Sequence, residues 1–320
     1  MYKIGIIDEI NPKGIEVLKN NKNFEYELIT DLSRDNLLKK LPEFDGITLR
    51  RGKIDSSVLT KCKKLKVISR HGVGYDNVDT DYIKKNNIKL LVTDSSTSTS
   101  PAEHIMFMII SIYKGINMFD SIVRSGNFAK AIHLDIKENF ELNSKNILII
   151  GFGRIGRKLI KKCLGFDLKV SVYDPFVDEK TINSFGGKKV LDLNSSLKEA
   201  DIVSLSLPKN EKTNNLISLD KMKLMKKSAI LINVSRGGIV NEKDLEYALN
   251  NKLIFFAGID VFEKEPPDIN NPLLSNKRVL LSPHAATFTK ECLENMSIET
   301  VTNIIDFLEK RIDKSKIVKL

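Results

Sequence analysis

The 320-residue chain is poor in the residues that build stapled or metal-held folds, with three cysteines and four histidines. Cys62, Cys163 and Cys292 are widely spaced, odd in number and form no C-x-x-C pair. That excludes a disulfide framework and a cysteine zinc site, and favours a reducing compartment. No metal is expected. Long apolar runs are also missing. The most apolar helical stretch, IMFMIISIY (105–113), is too short to span a bilayer. The N-terminal MYKIGIID alternates like a strand and lacks the parts of a signal peptide. A soluble cytoplasmic protein with no membrane partner is expected. Repeats at solenoid spacing and low-complexity linkers are absent as well. The net charge is +10, from 51 basic and 41 acidic residues. The lysines are spread along the chain, often beside asparagine as in IKKNNIK, which puts them on solvated helix faces and speaks against nucleic acid as a partner.

What is present is alternation. Short apolar strands (KIGIID, EYELIT, GITL, KVIS, KLLV) are separated by amphipathic helical patterns such as GIEVLKNN and DSSVLTKC. A second series runs from KNILII (145–150) through LKVSVY, KKVL, DIVSLSL, AILINV, FFAGID and RVLLS. This pattern predicts α/β architecture with parallel sheets covered by helices on both faces, and the length predicts two domains. Between the two series, SPAE (100–103) reads as a helix start. Ser100 is the expected N-cap, Pro101 the first helical residue and Glu103 the partner in a capping box, with the helix running to about Ser125. The last stretch, KECLENMSIETVTNIIDFLEK, has helical periodicity and no strand after it. It is expected to pack back onto the first domain.

The strand ILII leads into GFGRIG (151–156) and a helix, and the next strand ends in Asp174, 18 residues beyond Gly156. That is the dinucleotide fingerprint in its proper context. Gly151 permits the tight turn, Gly153 lets the backbone approach a pyrophosphate, and Gly156 lets helix and strand pack closely. The helix N-terminus offers free N–H groups to the phosphates. Asp174 would accept from the adenosine ribose hydroxyls and repel a 2′-phosphate, which favours NAD over NADP. FAD uses the same fingerprint but usually near a chain terminus, whereas this one is mid-chain.

In an open parallel sheet, ligands bind beyond the carboxyl ends of the strands. AILINVS is followed by Arg236, FFAGI by Asp260 and then Glu265, and VLLSP by His284. A hydride leaves an alcohol carbon only if a base takes the hydroxyl proton, and histidine, with an ordinary pKa of about 6.5, suits both directions. A carboxylate beside it favours the imidazolium. An arginine can polarise a carbonyl and pair with a substrate carboxylate. A His–Glu–Arg set beside NAD reads as a redox site for a 2-hydroxy or 2-oxo acid.

GFGRIG with YDP, INVSRGGIVNEKDL, GIDVFEKEPP and LLSPHAATFT resemble the NAD-dependent D-2-hydroxyacid dehydrogenases, the group containing phosphoglycerate dehydrogenase. LKVISRHGVGYDNVD (65–79) and AEH (102–104) resemble the substrate-loop and linker-helix segments of the same family. The resemblance implies a Rossmann NAD domain at 100–287. It also implies a discontinuous flavodoxin-like substrate domain at 1–99 plus 288–320, with a cleft between the two. It makes His284 the acid/base, Glu265 its partner and Arg236 the substrate-orienting residue. The backbone at Val73 and Gly74 is implied to bind the substrate carboxylate, and the N–H groups of GVG make a nest-like anion site. Arg154 and Ile155 fall at the pyrophosphate, Val234, Ser235 and Asp260 near the nicotinamide, and Pro208 and Thr213 beside the cofactor. A homodimer is implied, and the apolar run 105–112 suits its interface, although a buried core helix explains the run equally well. The departures are Ser206 where many relatives carry histidine, Phe128 where many carry tryptophan, and no asparagine before the linker helix.

Within this family 3-phosphoglycerate is the leading substrate, because Arg50, Arg51, Lys53, Arg70 and His71 could surround a phosphate near GVG; the alternative is that they are solvated strand-end charges. Glyoxylate or hydroxypyruvate reduction is the alternative, then D-lactate or a branched 2-hydroxy acid. The chain stops near Leu320, so serine feedback through an added regulatory domain is not expected. A reading of another class is an NAD-sensing, corepressor-like interaction protein, which can keep the same three residues.

Overall fold

The computed structural model describes residues 1–129 and 139–320. They form two compact units, Met1–Thr97 with Thr287–Leu320, and Ser98–Ala286.

The first unit alternates β1 (Tyr2–Ile7), α1 (Pro12–Lys19), β2 (Phe24–Ile29), α2 (Arg34–Lys40), β3 (Gly46–Leu49), α3 (Ser56–Leu59), β4 (Val67–Arg70), α4 (Thr80–Lys85) and β5 (Lys89–Val92). Its sheet has the order β2-β1-β3-β4-β5, every pair parallel. Ile4, Ile6 and Ile7 on β1 are fully buried, as expected of a central parallel strand covered on both faces. One cover is the C-terminal helix Lys290–Leu308, whose Val301, Ile304, Ile305 and Leu308 pack with Ile4, Ile6, Val67 and Leu91. Each such side chain contributes about 1.5–3 kcal/mol by leaving water. The helix thus belongs to the first unit although it comes last in sequence. Gly14 lets α1 lie against it, since a Cβ there would meet the Ser297 carbonyl oxygen at 2.6 Å.

The second unit contains α5 (Thr99–Lys114), α6 (Ile116–Arg124), β6 (Asn146–Ile150), α7 (Arg154–Leu164), β7 (Lys169–Tyr173), α8 (Glu179–Ser184), β8 (Lys188–Lys189), α9 (Leu193–Glu199), β9 (Ile202–Leu205), α10 (Leu219–Met222), β10 (Ile230–Asn233), α11 (Glu242–Asn250), β11 (Phe256–Ile259) and β12 (Val279–Leu281). The order β12-β11-β10-β9-β6-β7-β8 is all parallel and reverses direction at β6, the arrangement of a Rossmann dinucleotide-binding sheet. Only two residues of the expected KKVL strand pair, at the lysine-bearing sheet edge.

Two local expectations are corrected. The helix expected over 100–125 is two helices, because Gly115 takes a left-handed φ of 57° and bends the chain by 61°. Ser100 is not the N-cap. The helix begins at Thr99, Ser100 Oγ donates to the Ala286 carbonyl (2.5 Å), and Glu103 pairs with Lys162 (2.9 Å) instead of closing a capping box. These tertiary partners outcompete the local cap. α5 buries Ala102, Ile105, Met108 and Ile109 in the core beside Ile149, Ile230 and Ile232. Among the described residues no single helix is long and apolar enough to cross a membrane.

Candidate active site

Register explains why the polar residues gather. Ile150, Leu205, Asn233, Ile259 and Leu281 pair in one row across the second sheet, with Tyr173 level on the other side. The residues just beyond that row therefore emerge along one edge. These are Gly151, Asp174, Ser206, Val234, Asp260 and Ser282, with Arg236 and His284 two residues further on.

At the switch point, Gly151 has a φ of 97°, and a Cβ there would stand 2.3 Å from the Ser206 carbonyl oxygen. Gly156 packs against the carbonyl of Gly151, with a Cβ–O distance of 2.6 Å for any larger residue. Gly153, the N-cap of α7, is different, because among the described residues a Cβ there would meet nothing within 4 Å. The open space lies at the amino end of an 11-residue helix, whose first N–H groups lack intrahelical acceptors. Arg154 is exposed beside it and Ile155 half-buried. The Asp174 carboxylate accepts from the Phe152 and Phe176 N–H groups (2.8 Å each), and each oxygen keeps a lone pair for a ribose hydroxyl. Thr213 Oγ1 donates to the Pro208 carbonyl (2.7 Å), closing the loop after β9. A glycine turn, an uncluttered helix N-terminus and an acid at the second strand end together fit a dinucleotide.

At the other side of the sheet, His284 Nδ1 lies 2.7 Å from Glu265 Oε2. A carboxylate only accepts, so Nδ1 carries the hydrogen and Nε2 is the ring atom able to give or take a proton. Glu265 Oε1 accepts from the Phe262 N–H (3.1 Å). Burial pushes its carboxyl up, but the His284 hydrogen bond and charge, the Phe262 N–H and nearby Arg236 outweigh it and hold it below the usual carboxylate range. The Arg236 turn is built by Asn233, whose Oδ1 accepts from Ser235 N and Oγ and whose Nδ2 donates to the Arg236 carbonyl. Val234 and Ser235 are buried in that turn. Gly237 brings the turn against the Glu265 loop, since a Cβ there would be 1.7 Å from the Phe262 carbonyl oxygen. Asp260 is fully buried, and its carboxylate accepts from Ser282 Oγ (2.5 Å), Ala285 N (2.8 Å) and Ala286 N (3.1 Å). It is engaged with the loop that carries His284.

Sequence reasoning missed Asn233, Ser282 and His104, whose Nε2 lies 2.9 Å from Ser282 Oγ. A polar residue ending a buried strand, as in LIN and LLS, is the signal that singles out the first two. His104 had none beyond its place in AEH. The Ser206 hydroxyl is buried and makes no hydrogen bond among the described residues, and Phe128 is 63% exposed. Among the described residues, no group of three or more His, Cys, Asp or Glu could hold a metal ion.

In the first unit, Ile7, Leu49, Arg70 and Val92 form the corresponding row. Arg50, Arg51 and Arg70 have protein partners. Arg51 pairs bidentately with Asp8 (2.6 and 3.0 Å), and Arg50 Nη1 donates to the Glu9 carbonyl (3.0 Å). Arg70 donates to the carbonyls of Gly74 (2.7 Å) and Arg50 (2.6 Å), tying down the loop that carries Val73 and Gly74. His71 is buried, and among the described residues its Nε2 finds no hydrogen-bond partner.

Residues 106–286 match the family model described as the D-isomer specific 2-hydroxyacid dehydrogenase NAD-binding domain. The chain is 34% identical over 324 residues to a glyoxylate reductase of Thermococcus litoralis, covering 99% of this chain and 97% of that protein. It is 31% identical to a D-3-phosphoglycerate dehydrogenase of Archaeoglobus fulgidus, covering 95% of this chain but 57% of that longer protein. In structure it resembles a protein of Thermus thermophilus with a TM-score of 0.89 at 26% identity, over 99% of this chain and all of that one. A dinucleotide cradle and a paired His–Glu on one sheet edge, with this match over most of the chain, lead to one conclusion: the chain belongs to the D-isomer specific 2-hydroxyacid dehydrogenase family.

Proposed function

We propose that the protein is an NAD-dependent oxidoreductase that interconverts a small D-2-hydroxy acid and its 2-oxo acid. The observation that carries this is the 2.7 Å His284–Glu265 pair on the sheet edge that bears the glycine loop. NAD, when bound, carries the hydride. His284 Nε2 gives the proton to the substrate oxygen in reduction and takes it in oxidation, and Glu265 holds the ring and compensates its charge. Arg236 orients the substrate by its carboxylate and carbonyl oxygens. Gly151, Gly153, Arg154, Ile155 and Gly156 take the pyrophosphate, and Asp174 the ribose. Pro208 and Thr213 border the cofactor, while Val234 and Ser235 form the nicotinamide side, with Asp260 near it but acting through the loop that carries His284. The first unit acts as the substrate domain, with the Val73–Gly74 backbone receiving the carboxylate.

Among substrates, the partners of Arg50, Arg51 and Arg70 favour an unphosphorylated acid such as glyoxylate or hydroxypyruvate. A phosphate would have to draw Arg51 from Asp8 and Arg70 from the carbonyls it holds. Phosphohydroxypyruvate is the second reading, supported by the basic residues at these strand ends. A homodimer is supported by the exposed apolar side chains Phe107, Ile116, Met118 and Val123 on α5 and α6; sedimentation at a monomer mass would refute it.

The test is NADH oxidation against glyoxylate, hydroxypyruvate, phosphohydroxypyruvate, pyruvate and 2-oxoisocaproate. The highest kcat/KM is expected on glyoxylate or hydroxypyruvate, with NADPH much the poorer donor. A preference for phosphohydroxypyruvate would overturn the substrate. No oxidation with any of them, with NADH binding intact, would overturn the activity and favour an NAD-sensing role.

A further inference from the structure

We propose that His104 is a positioning residue for His284, acting through Ser282 and Asp260. The inference rests on the reading of His284 as the proton-transfer residue.

His284 sits in a costly conformation. Its φ is 52°, a left-handed backbone that costs a non-glycine residue roughly 1–2 kcal/mol. What holds it there is Asp260. The main-chain carbonyl of Asp260 accepts from His284 N (2.8 Å), while its carboxylate takes Ala285 N, Ala286 N and Ser282 Oγ, so the loop closes around one buried side chain. The orientation of that carboxylate therefore sets where the imidazole stands.

His104 fixes this orientation from α5. Its side chain is 17% exposed, and its Nε2 is 2.9 Å from Ser282 Oγ and 3.6 Å from Asp260 Oδ1. A hydroxyl has one hydrogen. At 2.5 Å from Asp260 Oδ1, the Ser282 hydroxyl spends it on the carboxylate, so His104 is the donor and its Nε2 carries the hydrogen. The chain His104–Ser282–Asp260 is thus directional, each group donating to the next and ending on the acceptor that organises residues 284–286. Removing the first donor leaves the Ser282 oxygen without a donor and frees the hydroxyl to turn from Asp260. The substrate-facing ring is sensitive to such slack, because a displacement of about 1 Å from reacting geometry costs up to about a hundredfold in rate.

Two substitutions separate hydrogen bonding from packing. His104→Phe keeps a ring of similar size and no donor, whereas His104→Gln places an amide N–H near the position of Nε2. In His104→Phe, kcat is expected to fall by about tenfold with NADH affinity within about twofold of wild type, and His104→Gln is expected to recover most of the loss. A second readout is independent of turnover. With four histidines in the chain, ring signals of histidine-labelled protein are few, and that of His284 is identified by its loss in His284→Ala. His104→Phe should shift and broaden this signal, His104→Gln should leave it in place, and Ser282→Ala, which cuts the same chain at its middle, should displace it as His104→Phe does. An unchanged His284 signal in folded His104→Phe, or equal displacement in the Phe and Gln variants, would overturn the inference. If the wild type reduces no 2-oxo acid, the proposed activity fails, and the ring signal still decides the positioning role.

Discussion

Replacing Asp260 by asparagine removes one charge and almost no volume, and the hydrogen bonds around it set the expected cost. The carboxylate receives three donors, Ser282 Oγ and Ala285 N at Oδ1 and Ala286 N at Oδ2, and has no exposed surface. An amide has one accepting oxygen. With that oxygen facing Ser282 and Ala285, the amide nitrogen meets the Ala286 N–H, donor against donor. With the amide turned over, it meets two donors. The better orientation leaves one buried N–H unpaired at about 1–3 kcal/mol, and the two surviving bonds lose the strengthening of a charged acceptor. Relief from burying a charge offsets part of this. A net loss of about 3 kcal/mol follows, with kcat lowered by up to about a hundredfold because the His284 loop is no longer pinned. Urea titration by circular dichroism reads the first quantity and NADH oxidation the second. A stability loss under about 1 kcal/mol, or kcat within about twofold of wild type, would refute the reasoning, since either means the loop keeps its geometry without the carboxylate.

Gly237→Ala should separate the Arg236 turn from the Glu265 loop, because the new Cβ would be 1.7 Å from the Phe262 carbonyl oxygen. A kcat/KM loss of at least about tenfold is expected, and unchanged kinetics would show that the two loops move together. His71 gives a pH-dependent prediction. Burial, then Arg50 and Arg70, push its imidazole down to about 4. The unfolded chain binds this proton near pH 6.5 and the folded chain does not, so stability is lost as pH falls from about 6.5 to 4, by about 3 kcal/mol in all. His71→Phe should flatten this limb relative to wild type in urea midpoints measured between pH 7 and 4.5, and parallel curves would sink the prediction. Glu265 acts in the same direction at lower pH. Its depressed carboxyl adds stability above its unfolded pKa of about 4.3, lost as pH falls through the lower folded value. The stability gap between wild type and Glu265→Gln should therefore narrow below pH of about 4.3, and a constant gap would mean the His284 pairing contributes nothing. His284→Ala should abolish turnover while NADH still binds, and near-normal rates would remove the residue from its role.

Much of this was legible in the chain because the features are local or repeat along it. The fingerprint GFGRIG needs only a strand, a turn and a helix, and its glycines are required by contacts within a few residues or with the next strand. Arg236, Glu265 and His284 could be assigned to one edge because parallel strands carry their carboxyl ends to the same side, whatever their order. Tertiary structure decided what residues far apart in sequence do to one another. Ser100 follows the N-cap pattern, yet its hydroxyl is taken by Ala286, 186 residues away. Arg51 has the charge to meet a phosphate, yet its guanidinium is matched to Asp8 at the end of a neighbouring strand. His104 reaches Ser282 across 178 residues, and no periodicity encodes a single hydrogen bond of that span. Strand pattern and turn chemistry determine which groups arrive at the sheet edge. Which of them are then spent on each other depends on distances of a few ångströms that exist only once the sheet has formed.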